Sequence, residues 1–150
     1  MAGNLKQRLI KAGRDFNYAE GVKVLNGEAS DTIAAGTIVY ASGFSGPFLT
    51  VKIASNSNNT GRLHVAKHDI PAGEYGVCLP WKLLTGLNNK VDTVGGASGA
   101  SLGAAVYLGS NGAFTASSAS SARKVGVVVS AATGPTTTDG AILFCGEGNG

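Results

Sequence analysis

From Val22 onward the chain breaks into short apolar or alternating runs, VKVL, TIVYA, FLTVKIA, RLHVA, EYGVCL, AAVYLG, KVGVVVS and AILFC, separated by Gly, Asn, Ser and Pro. Runs of this length, rich in β-branched and aromatic residues and bounded by turn formers, are strands, and their spacing predicts about 8 to 10 of them. Residues 50–53 alternate as a half-buried strand does, whereas 125–129 and 142–144 are continuous apolar runs suited to strands covered on both faces. One short helical turn is expected at PWKLL, residues 80–84. There Pro80 suits the first helical position, Trp81 and Leu84 follow, and Gly86 ends the turn.

Composition supports the same reading. Gly, Ala, Ser and Thr number 23, 21, 13 and 11 of 150 residues, and only 21 are charged, too few long polar side chains to clothe many surface helices. Val, Ile and Leu still suffice for a core, so the chain does not read as disordered. The expected fold is all-β: a single small sandwich-like or barrel-like domain over residues 21–150, preceded by an arm over residues 1–20. No stretch approaches the roughly 18 apolar residues of a membrane span, and no apolar core of a signal peptide follows the first charges, so neither export nor anchoring is expected. Cys78 and Cys145 each sit in an apolar run, in GVCLP and ILFC, which predicts two buried, reduced thiols.

The net charge of +3 is unevenly placed. Residues 1–14 carry Lys6, Arg8, Lys11 and Arg14 and no acid, while the remainder holds 8 basic and 9 acidic residues. A nearly neutral body argues against direct nucleic-acid binding except through the arm. The arm has too few apolar positions to form a helix unaided. It is expected to leave its own domain and contact a neighbouring subunit or another surface through Leu5, Lys6, Arg8, Leu9, Ile10, Lys11, Arg14, Phe16 and Tyr18.

Gly36-Thr-Ile-Val39-Tyr40 is echoed by Gly103-Ala-Ala-Val106-Tyr107, and each is followed by a Gly-containing turn and a Phe, Phe48 or Phe114. The echo predicts one strand–turn–strand unit used twice. Residues 54–61, 94–103 and 115–122 read as surface loops.

Chemical motifs are weak. GASLG matches the G-x-S-x-G elbow with Ser101 as nucleophile, but a Gly/Ser loop precedes it and a strand follows, the reverse of what that elbow needs. His64, His68 and Asp69 spell H-x-x-x-H-D, which holds zinc on a helix. In an extended segment the two imidazoles would stand about 13 Å apart, too far to share a metal. The acids Asp31, Asp69, Glu74, Asp92 and Asp139 are scattered, most of them beside turn residues. No catalytic, cofactor or metal site is therefore expected. Trp81, the single Trp, is read as a plug of the core, with an interface anchor as the other possibility.

Taken in order, AAGTIVYASG, VAKHDIPAGEYGVCLPWKLL, VDT, LGAAVYLGSNGAFT, RKVGVVVSAAT and GAILF resemble the small capsid decoration, or cement, proteins of tailed bacteriophages over about residues 21 to 145. The polar TASSASSA stretch and the basic first 14 residues depart from that pattern. The resemblance implies a non-enzymatic protein, made in a bacterial cytoplasm. It would bind the major capsid protein on the outside of an assembled shell, often as a homotrimer, and stiffen it; no cofactor and no membrane are involved. The alternatives are a receptor- or carbohydrate-binding β module on a virion or fibre and, more remotely, a small hydrolase using Ser101 and His68.

Overall fold

A computed structural model of the chain describes residues 21–55, 61–87, 101–116, 123–131, 133 and 139–146. Among the described residues ten strands follow one another: β1 (Val22–Asn26), β2 (Ile38–Ser45), β3 (Phe48–Ile53), β4 (Leu63–Ala66), β5 (Tyr75–Leu79), β6 (Trp81–Leu87), β7 (Ala105–Leu108), β8 (Phe114–Thr115), β9 (Lys124–Ser130) and β10 (Gly140–Cys145). The first five close into a barrel in the order β1-β3-β2-β4-β5, and the last five form an open sheet in the order β6-β10-β9-β7-β8. Pairing is antiparallel except between β1 and β3, where Val24 lies opposite Leu49 and Asn26 opposite Val51.

Two apolar clusters follow from strand alternation. Ala66 and Cys78 face into the barrel with Val24, Ile33, Val39, Val51 and Ile70. Their neighbours Val65 and Leu79, paired across β4 and β5, face out of the barrel. There they join Ile38 and Leu63 in one cluster with Leu84, Val106, Leu108, Phe114, Val125, Val128, Ile142 and Phe144 of the open sheet. Phe114 and Phe144 meet edge-on at 6.2 Å within it.

The expected hairpin is found twice, as β2–β3 and β7–β8. Each is entered by the same backbone clasp, which also occurs a third time, before β5. In residues 34–37, 71–74 and 101–104 the fourth N–H donates to the first carbonyl, at 3.1, 3.1 and 2.9 Å. The third residue is Gly36, Gly73 or Gly103, with φ of 80, 74 and 83°, the left-handed region that a turn of this kind reserves for glycine. Each glycine N–H donates to one residue of a neighbouring segment, Ala66, Asn26 or Val128, and that residue's N–H donates back to the fourth carbonyl of the clasp. Two clasps are joined back to back, because Ile33 and Ile70, one residue ahead of each, exchange both backbone hydrogen bonds at 2.9 and 2.8 Å. The strings IAAGT and IPAGE carry this relation.

Asn26 holds the same end of the barrel. Its buried amide donates to the carbonyls of Asp31 and Ile70, both at 2.9 Å, and its Oδ1 accepts the Glu28 N–H at 2.8 Å. A buried amide with its partners supplied is a stable spacer, and one without them is costly.

The structure corrects two expectations. Residues 80–84 are not a helical turn: Pro80 is a bend, and β6 begins at Trp81. A lone turn costs more to nucleate than it returns, whereas as a strand this segment pairs with β10 from Trp81↔Cys145 to Gly140↔Leu87. Among the described residues the only helical turn is a 3-10 turn at Ser110–Gly112. The runs 125–129 and 142–144 are not covered on both faces either, since Val129 and Leu143 are exposed; the open sheet packs on the barrel with one face alone.

Barrel and sheet are sewn together at Gly146. Its N–H donates to the Pro80 carbonyl at 2.8 Å, and its carbonyl accepts from Leu63 N–H at 3.4 Å and Arg123 Nη2 at 3.2 Å. A Cβ at Gly146 would lie 1.9 Å from the Leu63 carbonyl oxygen. Gly146→Ala is therefore expected to cost more than about 4 kcal/mol, or to prevent folding. Gly36→Ala and Gly103→Ala, where a Cβ meets nothing within 4 Å, should cost only the strain of a positive φ, about 1–2 kcal/mol each and equal to one another. Urea denaturation of the three variants checks the order.

Candidate interaction surface

The face of the open sheet turned away from the barrel is apolar. Register places Leu83, Leu143, Val127 and Ala105 side by side across β6, β10, β9 and β7, with Trp81 beside Cys145 in the next row along. Trp81 and Leu83 are each 50 % exposed, Val129 38 % and Leu143 37 %. Scattered exposed apolar residues are ordinary, but a contiguous row across four strands marks a contact surface. Alternation creates it: Leu84, Val128, Ile142 and Phe144 point to the core, so their neighbours must point outward.

This corrects two sequence readings. Trp81 is not the plug of the core, and Cys145 is exposed where a buried thiol was expected. Both follow from the bend at Pro80, after which the odd-numbered residues of β6 and the residues paired with them in β10 face outward. Leu83, Leu143 and Val129 were missed as surface residues. Their only signal was apolar side chains at consecutive positions of a strand, which reads equally as a strand buried on both sides.

A second cluster, with Tyr75 and Lys23 exposed and Phe48 half-buried, lies on the barrel. Phe48 and Tyr75 meet edge-on at 5.2 Å, and Lys23 Nζ stands 4.7 Å from the Phe48 ring centre and 5.2 Å from that of Tyr75. Phe44, near the tip of the β2–β3 hairpin, is 80 % exposed.

The residues singled out for chemistry are dispersed. Ser101 opens the third clasp, where its carbonyl accepts the Ala104 N–H. His64 is inside β4 and buried, and its Nδ1 has no partner. Burial, with the Arg62 charge adding to it, holds its pKa below the ordinary value near 6.5. His68 is exposed beyond the strand: its Nε2 accepts the Val77 N–H at 3.1 Å, so Nδ1 carries the proton and donates to the Asp69 carbonyl at 2.8 Å. Asp69 Oδ1 accepts the Ala35 N–H at 2.7 Å, and Asp139 accepts Thr133 N–H and Oγ1–H at 3.1 and 2.8 Å. These acids serve turns. Among the described residues no group of three or more His, Cys, Asp or Glu side chains could hold a metal. Asp92 and the nine arm residues Leu5, Lys6, Arg8, Leu9, Ile10, Lys11, Arg14, Phe16 and Tyr18 lie outside the described residues.

Comparison with known protein families, with curated proteins and with solved structures gave no match.

The two free thiols differ. Burial pushes Cys78 up to about 12, so both access and ionisation oppose its reaction. A maleimide is expected to modify Cys145 alone in the folded protein and Cys78 only after denaturation, as read by peptide mass. His64 makes stability depend on pH. Its folded pKa lies below its unfolded one, so its contribution is complete above about pH 6.5 and is lost as pH falls further, where the unfolded chain takes up the proton first. The melting temperature should therefore drop more between pH 7.5 and 5 for the native chain than for His64→Gln.

Proposed function

We propose that this is a non-enzymatic structural protein that binds the outer surface of an assembled viral capsid and stabilises it. The observation that carries the reading is the apolar row Leu83, Leu143, Val127 and Ala105 with Trp81, an uncovered sheet face on a nearly neutral body. It is supported by the order of segments that resembles phage decoration proteins; apart from VDT, which lies outside the described residues, those segments hold β2 and β4 to β10 in whole or in part, though not β1 or β3. The partners are the major capsid protein and further copies of this chain, as a homotrimer on the virion exterior. Lys6, Arg8, Lys11 and Arg14 meet carboxylates on the shell, and Leu5, Leu9 and Ile10 supply the apolar area. Exposed ion pairs contribute only about 0 to 1 kcal/mol each, so charge alone would not hold the arm. A protein that binds only the assembled shell stabilises it by mass action, and many copies multiply a small free energy per site.

The exposed rings of Tyr75 and Phe44, the first of them set against half-buried Phe48 and the Lys23 ammonium, favour a second reading, a receptor- or carbohydrate-binding module, because sugars stack on exposed rings. A glycan array set against binding to shells separates the two. Purified protein is expected to add to preassembled capsids that lack it and to raise their resistance to heat or chelator. Deletion of residues 1–14 should lower occupancy, more so at low salt, where the charged contacts count most. Capsids equally stable with and without saturating protein would overturn the stabilising role.

A further inference from the structure

We infer that copies of this chain meet head to tail, the Phe44 ring at the tip of one copy's β2–β3 hairpin seating in the hollow beside β6 of the next. The inference goes beyond the shell reading, since it concerns only how copies touch one another.

The hairpin outruns its support. β2 pairs with β4 only as far as Tyr40↔Leu63, whereas with β3 it continues through Phe44↔Leu49 to Ser45↔Phe48. Gly46 and Pro47 make the turn, Gly46 with a φ of 57° and Pro47 with its φ fixed by its own ring. Phe44 stands opposite Leu49, which packs on the barrel cluster, yet at 80 % it is the most exposed large apolar side chain among the described residues. One exposed ring is ordinary. A ring held at a stiff tip, with a hollow of its own size elsewhere on the same chain, is a knob with a hole to match.

The hollow, of about 240 Å³, is lined by residues 82–85 of β6, by Phe114 and by the turn at Ala35 and Gly36. Side chains alternate along a strand, so four consecutive residues share one hollow only at the strand's edge. That edge is the free one, because β6 pairs with β10 alone. Leu84 and Phe114 are buried and make the floor, while Leu83 and Thr85 are exposed at the mouth. An apolar cavity of about 150 Å³ holds a benzene ring, so this hollow admits a phenyl ring and part of the tip that carries it.

A copy cannot fill its own hollow. Gly36 on the wall and Phe44 lie at opposite ends of β2, and extended backbone at about 3.3 Å per residue holds them roughly 20 to 25 Å apart. The contact is therefore heterologous, of the kind that closes into a ring when the rotation between copies allows it. Charge fits it as well. Lys82 lines the hollow, and among the described residues its ammonium meets no carboxylate. No charged residue lies between Tyr40 and Lys52, so the tip sets no cation against it. The tip brings acceptors instead: the carbonyls of Gly46 and Pro47, with no N–H on Pro47. One ring buries about 150 to 250 Å², against about 800 Å² per partner in a stable interface. Free copies thus associate weakly, and the contact fills where many copies are held close together.

Two single-site variants test this in solution, Ser45→Cys and Thr85→Cys, each in a Cys145→Ser background that leaves only buried Cys78. A short bis-maleimide should link the mixture into dimers about 30-fold faster than it links either variant alone, or Ser45→Cys with Lys23→Cys on β1, the factor that a residue anchoring an interface supplies. Phe44→Ala in the Ser45→Cys partner should return the rate to that of these controls, and Phe44→Tyr should keep most of it. Ala35→Trp in the Thr85→Cys partner, which plugs the hollow from its exposed wall, should act as Phe44→Ala does. A rate unchanged by Phe44→Ala or by Ala35→Trp would overturn the inference. Ser45→Cys linking to itself as fast as the mixture would set tip against tip and overturn the head-to-tail contact. No linkage in the mixture, with Phe44→Ala lowering occupancy on capsids, would give the ring to the shell and overturn the contact between copies while leaving the shell reading intact.

Discussion

The joint between barrel and open sheet rests on a backbone contact too close for any side chain. At Gly146 the end of β10 passes between Leu63 of β4 and Pro80 ahead of β6, donating to one and accepting from the other. That contact sets the height at which the open sheet meets the barrel. It thereby brings Ile142 and Phe144 over Leu63, Val65 and Leu79, so that two sheets share one apolar cluster. Arg123 reinforces the joint, its guanidinium donating to the carbonyls of Gly61 and Gly146. Charge-assisted bonds of this kind are stronger than those between neutral groups.

The glycine clasp accounts for three of the chain's 23 glycines. Each copy needs one residue in the left-handed region and small neighbours that let a second segment donate and accept against the turn. Used before β2, β5 and β7, it places three strands chiefly with backbone hydrogen bonds, the Asp69 carboxylate adding one to the Ala35 N–H of the first copy. The back-to-back pair at Ile33 and Ile70 turns two of these units into one end of the barrel, which Asn26 then locks with its amide. The cost of such economy is conformational entropy, since glycine loses more freedom on folding than any other residue.

Strand economy also leaves surface uncovered. Five strands packed by one face against a barrel must turn their other face outward. In this chain that face carries Trp81, Leu83 and Leu143 where an antiparallel sheet facing water normally carries polar residues. The first 14 positions add a second feature, four basic residues and no acid, beside a body whose charges nearly cancel. The proposed reading as a shell-binding protein uses both features.

Eight strands were legible from the chain alone, as was the repeated hairpin. Both depend on local chemistry: period-two apolar runs and the glycine requirement of a positive φ. The partner of Asp69 was not legible, since its carboxylate accepts the Ala35 N–H, 34 residues away in the chain. The identity of residues 81–87 as a strand was not legible, because PWKLL satisfies the start of a helix equally well until β10 is there to pair with it. Nor were the exposure of Trp81 and Cys145, or the candidate surface formed by Leu83 and Leu143. An apolar run states that side chains are suited to burial, and only the stacking of one sheet on another decides which face is buried. The parallel pairing of β1 with β3, which closes the barrel, belongs with these. It joins segments separated by the first clasp and the whole of β2, and no residue in either strand encodes the partner; the course of the chain between them does.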